Sequence, residues 1–460
     1  MMRIAVLTPL PPSRTGVAHY ASMLLSALSA RAFDSLDGYR RSDFDHVIYQ
    51  LGNNPHHEWI YAEAMREPGV IVLHDLVLHH LIVEMTLARG DAEGYVAALQ
   101  ASHGAAGAAW ARGRAAGLHS EMGNFLLPAS VDVANRSRAV IVHNDYARQR
   151  LQSFGVTTPI HVVPHPYIPE TRRFDGDALR ARFGLTREHR VIGFFGFLTS
   201  AKRAEVVLEA FRIARMRDPR LVLLIAGEPA PNIEVPEGEG IITTGYVADE
   251  DFPAYYAAAD RFVNLRYPSA GETSGTLIRA LDAGKPVAVS DYAQFAELPD
   301  DCVVKIPFGE GEIESLADFF TREIADPSHA QRAWLESNAR LDLTVDGYLR
   351  ALEGGRPVRP GADETSALPL FPKLQLVGAS ANKITLRNTG TETLRTRTYG
   401  TPEYRIIVQG QWLSLPCDLA PGEVVELEVH LAEGACNLYH AIQGIPMLPP
   451  EPFACLTIKG

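Results

Sequence analysis

Cysteine is scarce in this chain of 460 residues, with four in all: Cys302, Cys417, Cys436 and Cys455. None has the C-x-x-C spacing of a zinc site, so the expected state is reduced and mostly buried thiols. Three of the four fall within the last 45 residues, which leaves one disulfide there as the alternative. No apolar run approaches the ~18 residues that a bilayer-spanning helix requires. The opening run from Met1 to Leu7 meets prolines at 9, 11 and 12, and reads as a buried strand rather than a secretory peptide. Positive charge is in deficit: 43 Lys and Arg against 55 Asp and Glu give a net charge of −12. That argues against nucleic acid as a partner, since nucleic-acid-binding domains carry basic stripes. The G-x-G-x-x-G fingerprint is missing after the first strand, which disfavours hydride chemistry.

What is present is ordinary for a soluble globular protein: 46% apolar and 21% charged residues. The length suggests about three domains. Up to about residue 350, apolar runs at 4–8, 46–50, 70–73, 139–142, 161–163, 191–195, 221–226, 240–243, 261–265 and 287–290 alternate with helical patterns such as 17–31 and 204–216. Such alternation predicts parallel sheets covered by helices on both faces. The fold class is therefore α/β, with two Rossmann-like doubly wound domains at 1–168 and 169–353, hinged near 164–169. Residues 81–135 are alanine-rich and predict a helical insert in the first domain. Residues 354–372 carry Pro, Gly and charge without periodicity and read as a linker. From 373 to 460, short alternating runs separated by turn signals such as Asn388-Thr389-Gly390 and Pro421-Gly422-Glu423 predict a small all-β sandwich.

The most informative stretch is 261–290, RFVNLRYPSAGETSGTLIRALDAGKPVAVS. It reads as strand, glycine-bearing loop, helix and strand. A loop that opens a helix offers unpaired backbone N–H groups and the positive end of the helix dipole to a phosphate or a sugar hydroxyl. Glu272 adds a carboxylate at its mouth. Other strand ends carry chemistry too. The first leads into a loop with Gly16. Another leads into His74-Asp75, with His56, His57, His79 and His80 nearby. A third leads to Gly196-Phe197 and the pair Lys202-Arg203. In open α/β sheets ligands bind at the carboxyl edge of the strands, where all of these fall. Metal binding by the His and Asp residues is a rival reading, and structural roles are expected for His56, His79 and His80. Glu272 as a helix-capping carboxylate is the rival reading at the loop.

Together these segments resemble the retaining nucleotide-sugar glycosyltransferases of the GT-B fold, family-4 type, over about residues 1–350. The terminal pattern "LRNTGTETL … DLAPGEVVELEVHL" resembles Ig-like modules appended to some bacterial carbohydrate enzymes. The resemblance implies a nucleoside-diphosphate sugar as donor substrate, no further cofactor and no metal. His74 and Gly16 would face the reacting centre, and Glu272 would bind sugar hydroxyls. Lys202, together with the backbone of Thr273, Ser274, Gly275 and Thr276, would hold the diphosphate. Phe197 stands where the family usually has arginine, so Arg203 is expected to supply the second charge. Tyr246 and Val247 would border the base. The second acidic residue of the family's E-x₇-E element is replaced by Arg279, which with Arg266 adds positive charge near the phosphate site. The run 342–353 would cross back onto the first domain.

The resemblance further implies transfer to a glycan or lipid-linked acceptor in bacterial polysaccharide or glycoconjugate synthesis, and a cytoplasmic protein or one at the inner face of the membrane. Trp110, Arg112 and Arg114 are the residues for peripheral membrane contact. A GT-B nucleotide-sugar epimerase is an alternative, although no carboxylate pair across the cleft is assignable from sequence. A non-catalytic glycan-binding or scaffold protein is another. Trp412, Tyr404 and Tyr439 are the few aromatics of the sandwich, for which a docking or oligomerisation role is expected.

Overall fold

In the computed structural model the strands with the longest apolar runs are the ones buried on both faces. Val70–Leu73, Ala139–Val142, Leu221–Ala226 and Val287–Ser290 are buried at every position. This is the pattern of central strands in a parallel sheet with helices on both sides. The structure describes residues 2–13, 15–117, 121–170, 172, 174–238, 240–354, 374–390, 393–394, 404–409, 411–442, 445–446 and 453–458. The predicted linker lies outside the described residues beyond Gly354, as do the side chains of Tyr404 and Trp412.

The first sheet has six parallel strands in the order Arg31–Phe33, Ile4–Leu7, His46–Leu51, Val70–Leu73, Ala139–Val142, Ile160–Val162. The second repeats the design with Val304–Ile306, Val287–Ser290, Arg261–Asn264, Arg190–Phe195, Leu221–Ala226, Ile241–Thr243. Its register sets Val263 beside both Phe194 and Ala288. Chain order reverses between Ile4–Leu7 and His46–Leu51 in the first sheet, and between Arg190–Phe195 and Arg261–Asn264 in the second. A crevice opens beyond the strand ends at each such switch point. The strands at Arg31–Phe33 and Val304–Ile306 were not legible in the sequence. Each has three residues with only one fully buried, too short and too polar for the pattern to register.

The insert forms the helices His79–Met85, Ala92–Ala115 (kinked at Gly104), Glu121–Leu126 and Val131–Arg136. The Trp110 ring is buried in the first domain's core, and Arg114 bonds to Asn124 and lies over the Tyr95 ring. Trp110 and Arg114 are thus engaged within the first domain, while Arg112 is exposed. Among the described residues no helix is long and apolar enough to cross a membrane.

The helix Leu341–Glu353 leaves the second domain and packs against the first sheet. Tyr348, Ala351 and Leu352 join Tyr20, Leu24 and Val163 in one core, and the Tyr20 and Tyr348 hydroxyls bond at 2.8 Å. The terminal module is two antiparallel sheets. Leu374–Ser380, Lys383–Asn388 and Val424–Glu428 form one; Gln411–Ser414, Tyr404–Val408, Gly434–Ile442, Ile445–Pro446 and Ala454–Ile458 form the other. Its core residues Ile384, Leu386, Ile406, Val408 and Leu438 alternate with outward-facing positions. Phe125 and Leu126 of the insert and Tyr267 of the second domain pack against that core, so the module is docked on its own chain. All four cysteines are free; Cys302 and Cys436 are buried, Cys417 and Cys455 exposed.

Candidate functional site

The two carboxyl edges face each other across a cleft of about 1440 Å³. Of the residues singled out above, Gly16, His74, Lys202, Tyr246, Glu272, Thr273, Ser274, Gly275, Thr276 and Arg279 all line it. Val247 lines it too but is buried in the second domain's core. Tyr246 and Phe197 are large side chains, each 53% exposed at the cleft surface.

On the second-domain wall the loop after Arg261–Asn264 leads to the helix Gly275–Asp282. Ser274 is the N-cap: its hydroxyl oxygen accepts from the Leu277 N–H at 3.3 Å, which stops the helix and aims its first turn into the cleft. The capping reading of Glu272 is thereby replaced, because Ser274 does that job. Glu272 instead accepts from Arg266 Nε at 2.6 Å and from the Ala270 backbone N–H at 2.9 Å. A Cβ on Gly275 would meet nothing within 4 Å, so a ligand can approach the backbone there.

Lys202 reaches the same wall from the turn after Arg190–Phe195, donating from Nζ to the Phe195 carbonyl at 3.0 Å. Gly196 makes room for it: φ is +86°, and a Cβ would lie 2.7 Å from Nζ. Burial, and next the Arg266 guanidinium, push the Lys202 ammonium well below its usual range, while Glu272 opposes them. A buried cation in this condition gains from an arriving anion. Arg266 Nη1 and Asn264 Nδ2 are buried donors without partners on this wall.

Arg203 is the correction. It sits at a left-handed φ of 59° between a 3₁₀ turn and the helix Ala204–Arg217. That conformation swings its side chain inward, where it forms a bidentate pair with Glu312 at 2.9 and 2.5 Å and lies over the Phe308 ring. The residue is 1% exposed and does not line the cleft. The second cation beside Lys202 is Arg266.

The first-domain wall is a cluster of rings. Tyr20 lies 4.6 Å from His74, 5.2 Å from His143 and 5.1 Å from His165. His74 Nε2 donates to Gln50 Oε1 at 3.1 Å, His143 Nδ1 to the Val163 carbonyl and His165 Nδ1 to the Pro166 carbonyl, both at 2.9 Å. Burial lowers all three: His143 to about 4, His165 to about 3, and His74 in the same direction, aided by its histidine neighbours. They are neutral rings that shape a wall. His143 was missed in the sequence, though it follows the strand Ala139–Val142 as His74 follows Val70–Leu73; the same edge rule finds both. His79 is structural, bonded to the Leu127 carbonyl and the Tyr95 hydroxyl, each at 2.5 Å. Exposed His80 lies 3.7 Å from Glu84. Among the described residues, no group of three or more His, Cys, Asp or Glu side chains is placed to hold a metal ion.

Residues 189–326 match the family model described as glycosyl transferases group 1. That match lies within the second domain. The chain is 32% identical over 155 residues to mannosylfructose-phosphate synthase of Agrobacterium fabrum, covering 28% of this chain and 32% of that protein. It is 26% identical over 164 residues to alpha-monoglucosyldiacylglycerol synthase of Streptococcus pneumoniae, covering 32% and 36%. The chain thus spans about a third of the length of the curated relatives it matches.

Among solved structures, Anabaena HepE in complex with UDP and glucose superposes with a TM-score of 0.52 at 16% identity, over 77% of this chain and all of that one. Sucrose-phosphate synthase of Thermosynechococcus elongatus does so at 0.52 and 13%, over 76% and 98%. At such identities the likeness shows the fold, which is GT-B: two facing Rossmann-like domains, here with an all-β module appended.

Proposed function

We propose that this group 1 glycosyl transferase moves a sugar from a nucleoside-diphosphate sugar to a hydroxyl of a glycan or lipid-linked acceptor, with retention at the anomeric carbon. One observation carries the reading. Lys202, Arg266 and the first turn of the helix Gly275–Asp282 converge on one wall of a cleft whose other wall is Gly16 and His74. Two cations and a helix N-terminus suit a diphosphate, which gains negative charge as the glycosidic bond breaks.

Arg279 stands at the mouth, in reach of a ribose or a phosphate, and Tyr246 offers a ring to the base. Of the relatives, one is named for a glucosylated diacylglycerol and another for mannosylfructose phosphate, and the HepE structure holds UDP and glucose. Glu272, engaged by Arg266 and Ala270, is poorly placed as a covalent nucleophile, so a retaining transfer would proceed by attack on the face the diphosphate leaves. Asp75 and Glu272 supply one carboxyl from each domain, the feature an epimerase would need, but the fixed Glu272 favours transfer.

A thermal-shift screen of UDP, GDP, dTDP, ADP and their common sugars tests the donor site. Binding to the native state alone raises the melting temperature by mass action. A clear rise with one base is expected. Absence of any shift at millimolar ligand would refute the reading. Once a donor is identified, NMR of the glycoside product reads the anomeric configuration.

A further inference from the structure

The loop that carries Glu272 is held from both sides of the cleft. On its own domain, Glu272 Oε2 accepts from the Ala270 N–H at 2.9 Å, and the Glu272 carbonyl accepts from Gln294 Nε2 at 2.8 Å. Gln294 in turn accepts from the Ser269 hydroxyl at 2.8 Å. The two carbonyls just before Glu272 go to the other domain. Ala270 accepts from the Leu76 and Val77 N–H groups at 2.6 and 3.2 Å, and Gly271 accepts from Asn144 Nδ2 at 2.9 Å. Gly271 has a φ of +76°, and a Cβ there would lie 2.8 Å from Leu76 Cβ, so glycine is what permits the approach.

The first-domain half of this seam rests on rigid parts. Leu76 and Val77 are buried close behind the strand Val70–Leu73. Asn144 is 8% exposed and begins the helix Asp145–Ser153. Its side chain has two jobs that need two different atoms. Oδ1 accepts from the Ala147 N–H at 2.8 Å and caps the helix, while Nδ2 donates across the cleft. Aspartate caps a helix as well as asparagine does, but an ionised carboxylate has no proton to donate. Glu297 strengthens the seam from the other direction, accepting from the Asp145 and Tyr146 N–H groups. The first turn of that helix is thus completed by one side chain from each domain.

We propose that Asn144 is a positioning residue that couples closure of the two domains to the geometry of the donor loop. This deepens the transferase reading and rests on it. The orientation of the peptides at Ala270 and Gly271 sets the direction in which Glu272 leaves the backbone. With the cleft closed, Asn144, Leu76 and Val77 fix both carbonyls, and Glu272 is held where it meets sugar hydroxyls. With the cleft open, both carbonyls turn to water and the loop keeps only its second-domain partners. Lys202, Arg266 and the helix Gly275–Asp282 all belong to the second domain, so a nucleoside diphosphate binds in either state. Reaction is thereby reserved for the closed enzyme, from which bulk water is excluded.

The test uses the full chain with Asn144→Asp and Asn144→Ala at pH 8, where the new carboxyl is ionised. Aspartate keeps the cap and loses the bridge; alanine loses both and should melt lower. Turnover of UDP-glucose with water as acceptor should fall by about 10- to 100-fold in Asn144→Asp, because a 1 Å misplacement at a reacting centre costs up to about 10²-fold. UDP affinity by calorimetry should stay within about twofold, the mark of an interaction that serves turnover rather than binding. A residue that only caps its helix would leave Asn144→Asp as fast as the wild type. That result overturns the proposal, as does a loss of UDP affinity as large as the loss of rate.

Amide hydrogen exchange gives a readout independent of turnover. The Leu76 and Val77 N–H groups should exchange about 2- to 10-fold faster in Asn144→Asp, the factor set by one hydrogen bond. Ala147, still capped, should keep its protection. Equal exchange of Leu76 and Val77 in the wild type and Asn144→Asp overturns the proposal. If UDP fails to bind the wild type, the donor reading fails, while this exchange still decides whether Asn144 holds the loop.

Discussion

Arg279 of the second domain donates to His19 Nε2 of the first at 3.2 Å, bridging the mouth of the cleft. A guanidinium can only donate, so His19 is neutral here with its proton on Nδ1, which lies 3.9 Å from Asp249. Asp249 also accepts from Arg279 at 3.3 Å. Elsewhere the domains are held by Asn144 Nδ2 bonded to the Gly271 carbonyl and by Glu297, which accepts from the Asp145 and Tyr146 N–H groups at the start of the helix Asp145–Ser153.

The bridge predicts a pH-dependent cleft. Burial, and then Arg279, lower His19 from its ordinary value, against the pull of Asp249. Protonation removes the lone pair that Arg279 uses, so acidification below about 6.5 should favour the open form. A fluorophore pair placed across the cleft should report a longer mean distance at pH 5.5 than at pH 8. Arg279→Ala should be open at both. A distance indifferent to pH in the wild type would remove the bridge from the closing mechanism.

Lys202, Arg266 and Arg203 should separate cleanly by role. Lys202→Ala and Arg266→Ala should each weaken UDP binding by about 10- to 100-fold, since a hydrogen bond to a charged group is worth about 1.5–3 kcal/mol. Glu272→Ala and Lys202→Ala should each sharply reduce turnover in a protein that remains folded. Arg203→Ala leaves Glu312 buried without its partner and should cost about 3–5 kcal/mol of stability, with UDP affinity unchanged at temperatures where the variant is folded. Loss of UDP affinity in folded Arg203→Ala would restore that residue to the site.

Gly16 opens the first helix, and a Cβ there would meet nothing within 4 Å. Gly16→Ala should leave the melting temperature within about one degree, because no neighbour has to move. The new methyl projects into the cleft and should raise the KM for donor or acceptor. A large drop in melting temperature would mean that Gly16 serves the fold.

Several buried histidines make stability sensitive to acid. Burial lowers His57, His143 and His440 to about 4, and His79, His103 and His165 to about 3. The unfolded chain binds their protons from about pH 6.5 downward, and the native protein does so only near 3–4. Stability is therefore complete above about 6.5 and is lost as pH falls toward 4, by up to about 1.4 kcal/mol per pH unit for each group. Asp75 and Glu297 act with the opposite sign, since a carboxyl raised by burial loses stability as pH climbs, but they are two groups against six. Urea midpoints at pH 7.5, 6 and 5 should fall steadily, and a flat series would refute the linkage.

Much of this was legible because buried parallel strands must be continuously apolar. The runs 70–73, 139–142, 221–226 and 287–290 coincide with the strands of the structure. His74, Lys202 and Glu272 were found because each follows such a strand, and the carboxyl edge is where a doubly wound sheet presents side chains to a ligand. Arg203 was misassigned beside Lys202 because neighbours in sequence were expected to share a destination. One left-handed residue was enough to turn it to Glu312. A docking or oligomerisation role was expected of the sandwich because it has few aromatics, and Phe125, Leu126 and Tyr267 of the same chain pack against its core.

The amino-acid sequence by itself determined two Rossmann-like domains, a helical insert and an all-β module, because hydrophobic periodicity and glycine or proline punctuation are local and additive along the chain. Only the tertiary structure decided which charges meet. It set Arg266 against Glu272, sent Arg203 to Glu312 and bridged His19 to Arg279 over 260 residues of chain. Charge pairing and proton affinity depend on distance and burial in three dimensions, and a linear pattern carries neither.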